Sequence, residues 1–309
     1  MLGRIVEIAE AGRHLSADRG HMVVAEKGLE IGRLALDDIA AVITSAHGLS
    51  YSNNLLVALA ERNAPFILCA PNFAPVGYLL SVAGNHRQAA RIEAQIKASV
   101  PMGKRLWKAV VQAKIARQAE VLAGLGLPTA PLTALIPKVR AGDPGNAEAV
   151  AARRYWPLAF GRDFRRDRAL PGANALLNYG YTVLRAATAR AIMGAGLHPS
   201  IGIHHHNEGN PMRLADDLVE PFRPLVDRAV LGLLRGGATD VTPDAKKTLV
   251  NVLYADLDTA RGVTPVMGAI IALATSLAQI FEGERAELDL PIIAKTARRE
   301  AGQMMASEP

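Results

Sequence analysis

The feature that most constrains this fold is a change in hydrophobic periodicity near residue 85. Up to that point apolar residues fall in short runs separated by turn residues, which is typical of β-strands. Beyond it apolar residues recur at helical spacing, and Ala90, Ile92, Ile96 and Val100 mark one such stripe. The chain therefore has to combine a β-rich part with a helical part.

The two patterns predict an α+β fold. The predicted strands are Arg4–Ile8, Arg13–Ser16, His21–Ala25, Leu29–Ala35, Ile39–Thr44, Ile67–Ala70 and Val76–Leu80. One helix, about Asn53–Arg62, interrupts them, with Ser50 as its N-cap. The later predicted helices are Arg87–Val100, Leu106–Ala123, Asn146–Phe160, Ala173–Ala195, Leu214–Leu234, Lys246–Leu257 and Val266–Phe281. We expect a small β-rich domain (a sheet sandwich with one helix) at residues 1–83, a linker at 84–90 and a larger all-α domain at 91–309.

Composition is that of a globular protein with a buried core. Half of the 309 residues are hydrophobic and 21% are charged. The single cysteine, Cys69, cannot form an internal disulfide, so we expect a reducing, cytoplasmic compartment. The sequence shows no signal peptide, and no apolar run reaches the roughly 18 to 20 residues of a membrane span. A membrane protein is therefore not expected.

Positive charge is concentrated in one segment. Residues 86–168 hold 16 Lys or Arg against 6 Asp or Glu, whereas residues 1–85 hold 6 against 8 and the remainder 13 against 15. A basic stripe of this kind is the electrostatic footprint of a phosphate backbone, although some such faces are only solvated. The charge distribution favours nucleic acid as the partner.

An imidazole run stands just ahead of a group of carboxylates. The run His204–His206 is followed, after a turn containing Gly and Pro, by Asp216, Asp217 and Glu220. Asp217 and Glu220 are three apart, so they share a helix face, and a loop can fold the imidazoles back over it. Histidine with carboxylate and without thiolate suits manganese, magnesium or zinc. Adjacent histidines cannot all face one ion, so at most one or two are ligands; the alternative is a charge-stabilised first turn beside packed imidazoles.

Glu148 has two interpretations. It follows Asn146, a predicted N-cap, so its carboxylate favours the helix dipole; alternatively it is a metal ligand from a second helix. The basic side chains that would surround it as phosphate contacts are Arg153, Arg154, Arg162, Arg165, Arg166 and Arg168. Tyr155 and Trp156 are interpreted as core packing rather than as platforms for base stacking.

Asn174 and Asn178 are i, i+4 neighbours on a predicted helix. Such residues are usually solvated or hydrogen-bonded to a neighbouring turn, and the alternative is contact with a phosphate or an active-site water. The sequence has no His-Glu-x-x-His zinc motif, no Gly-rich phosphate loop and no Ser or Cys in a recognisable nucleophile elbow. Imidazole and carboxylate are therefore the groups expected to carry the chemistry.

Four blocks of the sequence together resemble the CRISPR-associated integrase family, the first of the CRISPR-associated proteins. They are Glu148-x-x-x-Ala152-x-x-Tyr155-Trp156, Leu177–Tyr181, Gly196–His205 and Leu214–Pro224. Their order and spacing agree with the family, as does the β-then-α division, so the resemblance covers essentially the whole chain. Gly202–Asn207 and Leu214–Asp217 are most similar to members from type II systems, which use Cas9-type effectors.

The resemblance implies a metal site formed by Glu148, His205 and Glu220, with Asp217 as a supporting acid and Mn2+ or Mg2+ as the cofactor. The neighbouring His204 and His206 are then expected to support the site or the fold. The side chains expected to contact DNA are Arg87, Arg153, Arg154, Arg162, Arg165, Arg166 and Asn178.

The resemblance also implies an activity, in which a protospacer 3′-hydroxyl attacks a phosphodiester at the edge of a CRISPR repeat and inserts a spacer for antiviral defence. The implied partners are DNA, a second copy of the chain bound through the β-rich domain, and a small second CRISPR-associated protein that bridges two dimers into a heterohexameric complex. Two other functions fit the same residues. One is a free-standing metal-dependent nuclease on branched or single-stranded DNA, and the other is a non-catalytic DNA-binding scaffold.

Overall fold

In a computed structural model of the chain a β-rich part precedes a helical part, as the periodicity predicts. The structure describes residues 3–73, 75–82, 84–260 and 262–291, so the end of the predicted all-α domain, residues 292–309, lies outside the described residues. The strands are β1 (Arg4–Ile8), β2 (Arg13–Asp18), β3 (His21–Glu26), β4 (Leu29–Ala35), β5 (Ile39–Thr44), β6 (Ser50–Tyr51), β7 (Phe66–Cys69), β8 (Pro75–Leu79), β9 (Asp256–Thr259) and β10 (Gly262–Pro265). The helices are α1 (Asn53–Glu61), α2 (Gln88–Ile96), α3 (Val100–Gly124), α4 (Ala130–Thr133), α5 (Ala147–Phe160), α6 (Ala173–Gly194), α7 (Arg213–Val219), α8 (Arg223–Arg235), α9 (Pro243–Asn251) and α10 (Val266–Phe281).

The β-rich part consists of two four-stranded sheets that share one core, which confirms the predicted sandwich. One sheet has the order β1-β5-β7-β8, with β8 antiparallel to the others, and the second has the order β4-β3-β2-β6. Leu15 and Met22 of the second sheet pack with Val42 and Phe66 of the first and with Leu55 of α1. Strand β5 is buried along its whole length, as a strand covered on both faces has to be.

Helix α6 is the centre of the helical part and joins it to the first sheet. Most of its residues are buried, and they share a core with side chains of β1, β5 and β7. A side-chain link reinforces this contact, because the hydroxyl of Tyr179 donates to Glu7 of β1 at 2.7 Å and the ammonium of Lys246 lies 2.6 Å from the same carboxylate. Gly180 allows α8 to come close, since a Cβ there would lie 2.4 Å from Val226.

The predicted helix Leu214–Leu234 is wrong as one element, because it is interrupted. Helix α7 ends at Val219, the turn Glu220–Phe222 is a 3-10 helix, and α8 begins at Arg223. Pro221 and Pro224 have no N–H to donate to the preceding turn, so a continuous α-helix would lose two hydrogen bonds here. Glu220 therefore begins a short 3-10 turn between two helices.

Other boundaries differ from the prediction for local reasons. The predicted helix Arg87–Val100 ends at Ile96, and Ser99 then caps α3 by accepting a hydrogen bond from the backbone of Met102 at 3.4 Å. The cap of α1 is Ser52, at 3.3 Å from the Leu55 nitrogen, and not Ser50, which lies in β6.

The helical part also contains a hairpin that the sequence analysis missed. Helix α9 ends at Asn251, whereas the prediction continued to Leu257, and β9 and β10 form an antiparallel pair. Polar and apolar residues alternate in Asp256–Thr259, which is strand periodicity. In the part of the chain that the structure describes, no helix is long and apolar enough to cross a membrane.

The start of α5 is fixed by Asp143 rather than by the predicted cap Asn146. Asn146 adopts a left-handed conformation, with φ of 50°, and its side chain caps nothing. The Asp143 carboxylate instead accepts hydrogen bonds from the backbone nitrogens of Ala147 and Glu148, each at 2.9 Å. Two of the unpaired N–H groups of the first turn are thereby satisfied, and the position of Glu148 is set.

We expect Asp143→Gly to lower the free energy of unfolding by about 1 to 2 kcal/mol, because α5 loses its capping carboxylate. Asn146→Gly is the matched control: both residues have positive φ, 47° and 50°, so glycine strains neither backbone. The control should leave the free energy of unfolding within about 0.5 kcal/mol of the parent. Urea unfolding of both variants measures the difference, and equal losses would contradict this assignment of the cap.

Candidate active site

Three separate segments of the helical part meet at one ammonium group. The Nζ atom of Lys114, in the middle of α3, lies 2.6 Å from an oxygen of Glu148 and 2.5 Å from an oxygen of Glu220. Glu148 is in the first turn of α5, and Glu220 begins the 3-10 turn after α7. The second oxygen of Glu220 lies 3.1 Å from the guanidinium of Arg223. Two carboxylates and two cations therefore alternate in one largely buried cluster.

The cluster keeps its charges despite burial. Burial alone lowers the pKa of Lys114, but the carboxylates of Glu220 and Glu148 outweigh it, so the pKa lies above its ordinary value. Burial raises the pKa of Glu220, and the attraction of Arg223 and Lys114 outweighs this, so that pKa lies below its ordinary value. Glu220 thus presents negative charge to the ammonium of Lys114.

Beside this cluster, the buried carboxylate of Asp217 organises the histidine loop (residues 202–206). One of its oxygens accepts hydrogen bonds from the backbone nitrogens of Ile203 and His204, at 2.6 and 3.0 Å. The other lies 2.6 Å from Nδ1 of the His205 ring. Gly202 makes the approach possible, because a Cβ there would lie 2.8 Å from the Asp217 carboxylate.

The three histidines of the run have different surroundings. The hydrogen bond to Asp217 raises the pKa of His205, against the opposing effect of burial, and Nδ1 is engaged so that Nε2 is left for another partner. The ring of His204 stacks on Trp107 with centroids 4.2 Å apart, and burial lowers its pKa. His206 is exposed.

The acid cluster of the sequence divides between two places. Asp217 faces the histidine loop, whereas Asp216 is paired with Arg185 of α6 at 2.8 Å. Asn210 also donates to Asp216, at 2.7 Å. Asp216 is therefore engaged with α6, apart from the cluster of Glu148 and Glu220.

The predicted DNA-contacting residues also fall into groups. Arg162, Arg165 and Arg168 are exposed on the arginine loop (residues 162–168), and Arg153 is exposed on α5. Arg154 donates to the carbonyl of Pro131 at 2.7 Å. Arg87 lies 2.8 Å from Glu282 and 3.4 Å from Glu284, so it links α2 to the end of α10.

Asn174 and Asn178 hold the arginine loop on α6. Their side-chain oxygens accept hydrogen bonds from the guanidinium of Arg166, at 2.9 and 2.7 Å. Their amide nitrogens donate to the backbone carbonyls of Arg165 and Arg168, at 3.0 and 2.9 Å. The spacing of four residues thus lets both side chains hydrogen-bond one neighbouring loop. Hydrogen bonding to a neighbouring turn was one of the two interpretations of the sequence.

A cavity of about 560 Å³ opens between the arginine loop, α6 and the histidine loop. Its charged and polar lining includes Arg166, Arg168, Tyr181, Arg185, His205 and Arg223. His205, one of the three side chains predicted as metal ligands, lines this cavity. Four of the lining side chains carry a guanidinium group, and the carboxylate in the lining, Asp216, is paired with one of them, Arg185.

The donor groups around Lys114 are carboxylates. Within the described ranges no group of three or more His, Cys, Asp or Glu side chains is gathered closely enough to hold a metal ion. The carboxylates of Glu148 and Glu220 nevertheless face one space, and the Lys114 ammonium fills it. Two carboxylates around one cation supply the oxygen donors that a hard divalent cation takes.

Sequence reasoning missed three contributors to this region. Lys114 and Trp107 lie on α3, where nothing in the local pattern distinguishes them from other cationic and core residues. Asp227 of α8 is buried and accepts hydrogen bonds from Tyr155, at 3.0 Å, and from Tyr181. A buried tyrosine is a signal of such a partner, because its hydroxyl has to be hydrogen-bonded.

Comparisons with known proteins agree with this architecture. The family described as CRISPR associated protein Cas1 matches residues 6–140 and 146–253. The CRISPR-associated endonuclease Cas1 of Neisseria meningitidis serogroup C (strain 8013) is 36% identical over 291 residues, which cover 93% of this chain and 95% of that protein. The chain therefore belongs to the Cas1 family.

Solved structures share the fold. A casposase bound to its integration product superposes with a TM-score of 0.80 at 18% identity, covering 98% of this chain and 99% of that one. A chain of a Cas6-RT-Cas1–Cas2 complex superposes with a TM-score of 0.76 at 17% identity, covering 94% of this chain and 36% of that one. The β-then-helical arrangement is thus that of Cas1, as the sequence resemblance implied.

We expect Asn178→Ala to loosen the arginine loop, because the loop loses an acceptor for Arg166 and a donor to the Arg168 carbonyl. Trypsin should then cut faster after Arg165 and Arg168, and affinity for a DNA duplex with a 3′ overhang should fall about tenfold. Asn54→Ala, at an exposed position on α1, is the control. Weaker DNA binding at an unchanged rate of cleavage would instead indicate direct contact between Asn178 and DNA.

Asp227 gives a pH dependence of stability. Burial raises its pKa to about 6, although hydrogen bonds from Tyr181 and Tyr155 oppose the rise, and its ordinary value is about 3.9. Because the folded state holds the Asp227 proton more tightly than the unfolded state, protonation of Asp227 stabilises the fold. This stabilisation is complete below about pH 4 and is lost as pH rises through about 6. The free energy of unfolding, measured relative to Asp227→Asn, should fall by about 2 kcal/mol between pH 4 and 7. A difference that does not vary with pH would contradict the buried, protonated carboxyl.

Proposed function

We propose that the chain is a metal-dependent DNA endonuclease and integrase that inserts spacers into a CRISPR array. The observation that carries the proposal is the pair of carboxylates, Glu148 and Glu220, on two different segments around one cation. His205 supplies an imidazole, oriented by Asp217, at the wall of a basic cavity. The relative from Neisseria meningitidis is itself named an endonuclease.

The metal ligands in this proposal are Glu148, His205 and Glu220, with Asp217 as the residue that orients His205. A bound Mn2+ or Mg2+ would polarise the phosphoryl oxygen and stabilise the charge of the transition state. The reaction exchanges one phosphodiester for another, because the attacking 3′-oxygen forms a bond to phosphorus as another 3′-oxygen leaves. The attacking hydroxyl loses a proton and the leaving oxygen gains one. Because one phosphodiester replaces another, no nucleoside triphosphate is consumed. Nε2 is the ring nitrogen of His205 that Asp217 leaves open, so it either ligates the metal or moves that proton.

The DNA surface in this proposal is the arginine loop with the cavity behind it. Arg162, Arg165 and Arg168 are exposed. Their contacts with phosphate would contribute affinity for DNA without sequence specificity. Arg153 extends the surface along α5. Arg87 and Arg154 are also exposed, and they are paired with Glu282 and with the carbonyl of Pro131. Asn178 contributes by holding the loop.

The proposed assembly follows from the family. We assign the β-rich residues 1–83 to a dimer interface, residues 84–90 to a linker and residues 91–309 to the catalytic domain. The complex whose chain superposes on this one is named for Cas6, RT, Cas1 and Cas2. The partner proposed here is a small second CRISPR-associated protein, which bridges two dimers into a heterohexamer.

We expect Glu148→Gln, Glu220→Gln and His205→Ala each to lower strand transfer about 100-fold or more, with little change in DNA binding. The assay joins a short duplex with free 3′-hydroxyls to a supercoiled plasmid that carries a CRISPR repeat, with Mn2+ and the small partner present. Glu208→Gln and His206→Ala are matched controls, because both side chains are exposed beside the site. Each control should retain the parent's activity.

The outcomes separate the alternative functions. A covalent branched product that the three variants lose would support the integrase. Nicking without joining, independent of partner and repeat, would favour the free-standing nuclease. Tight DNA binding that a chelator does not affect, with no covalent product, would leave only the scaffold.

A further inference from the structure

The Lys114 ammonium occupies the space where the proposed function requires a metal ion. It is within 2.6 Å of both Glu148 and Glu220, and its side chain is only 14% exposed. A lysine buried in this way is costly to desolvate unless it is paired. The two carboxylates are equally costly without a cation, because like charges at short range repel. The three groups therefore stabilise one another.

The charges of the cluster balance without any metal. Glu148 and Glu220 carry two negative charges, and Lys114 and Arg223 carry two positive charges. A divalent cation bound by the same carboxylates would add two positive charges beside an ammonium that already lies between them. Repulsion at these distances is strong in a buried site, so the ammonium and the metal compete for the same position.

Lys114, rather than Arg223, is the cation that can leave. Arg223 pairs with the other oxygen of Glu220, and its guanidinium lies 4.9 Å from the centre of the Tyr181 ring. A planar guanidinium held by a carboxylate and an aromatic face has few alternative positions. Lysine carries a compact charge on a flexible four-carbon stem, which can turn the ammonium toward solvent.

We propose that Lys114 is an internal counter-cation, a positioning residue that keeps the metal-free site assembled and that a divalent metal has to displace. The inference rests on the proposed function, since it takes Glu148 and Glu220 as metal ligands. Lys114 then sets the affinity for metal, because only the fraction of molecules with the ammonium withdrawn can bind it.

The test is Lys114→Met, which keeps the apolar stem and removes the charge. In EDTA we expect a lower melting temperature than the parent's, because two buried carboxylates lose their counter-ion. We expect Mn2+, measured by the electron paramagnetic resonance signal of the unbound ion, to bind at least about tenfold more tightly. Mn2+ should also raise the melting temperature of the variant by more than it raises the parent's.

Lys104→Met is the matched control, because it removes the same charge from an exposed position on the same helix. Its Mn2+ affinity and melting temperature should equal the parent's. Lys114→Gln is the second variant if Lys114→Met does not fold in EDTA, since a neutral amide can still hydrogen-bond the carboxylates. It should show the same gain in Mn2+ affinity.

Glu220→Gln distinguishes a failure of the counter-cation proposal from a failure of the proposed metal site. If it weakens Mn2+ binding while the Lys114 variants leave the affinity unchanged or lower, the counter-cation proposal is wrong and the metal site stands. If Glu220→Gln has no effect on Mn2+ binding, the proposed metal site itself is wrong. Tighter Mn2+ binding in both Lys114 variants, together with weaker Mn2+ binding in Glu220→Gln, supports both the counter-cation proposal and the metal site.

Discussion

The candidate site depends on one interaction, the ammonium of Lys114 between the carboxylates of Glu148 and Glu220. These residues come from α3, from the start of α5 and from the turn after α7, which are far apart in the sequence. Two carboxylates in a mostly buried position repel each other unless a cation stands between them. The cation therefore joins three segments at the site, beside the apolar core that α3 and α5 share.

Buried polar side chains then position the loops around this centre. Asp217 binds the backbone and the ring of the histidine loop. Asn174 and Asn178 bind the arginine loop, and Asp143 fixes the first turn of α5. In each case a short polar side chain satisfies backbone groups that a loop would otherwise leave to water. Functional side chains on loops gain precision from such support.

Much of the fold could be predicted because periodicity is a local property. The strands β1, β4 and β5 and helix α10 begin and end where the sequence pattern predicts. The prediction was wrong where local signals were weak or in conflict, as at the prolines around Glu220 and in the hairpin of β9 and β10. Asn146 and Ser50 were predicted as caps from residue type alone, but the backbone conformation placed Asp143 and Ser52 in those roles.

The sequence by itself determined the order of the β-rich and helical parts, the concentration of positive charge in residues 86–168 and the supply of imidazole and carboxylate groups. Only the tertiary structure decided which of these groups meet. Asp216 and Asp217 are adjacent in sequence, yet one pairs with Arg185 and the other with His205. Lys114 is one of many cations in a basic segment, and only the packing of α3 places it between two carboxylates. Such partners are non-local, because they depend on how helix faces are oriented across the core rather than on any spacing along the chain.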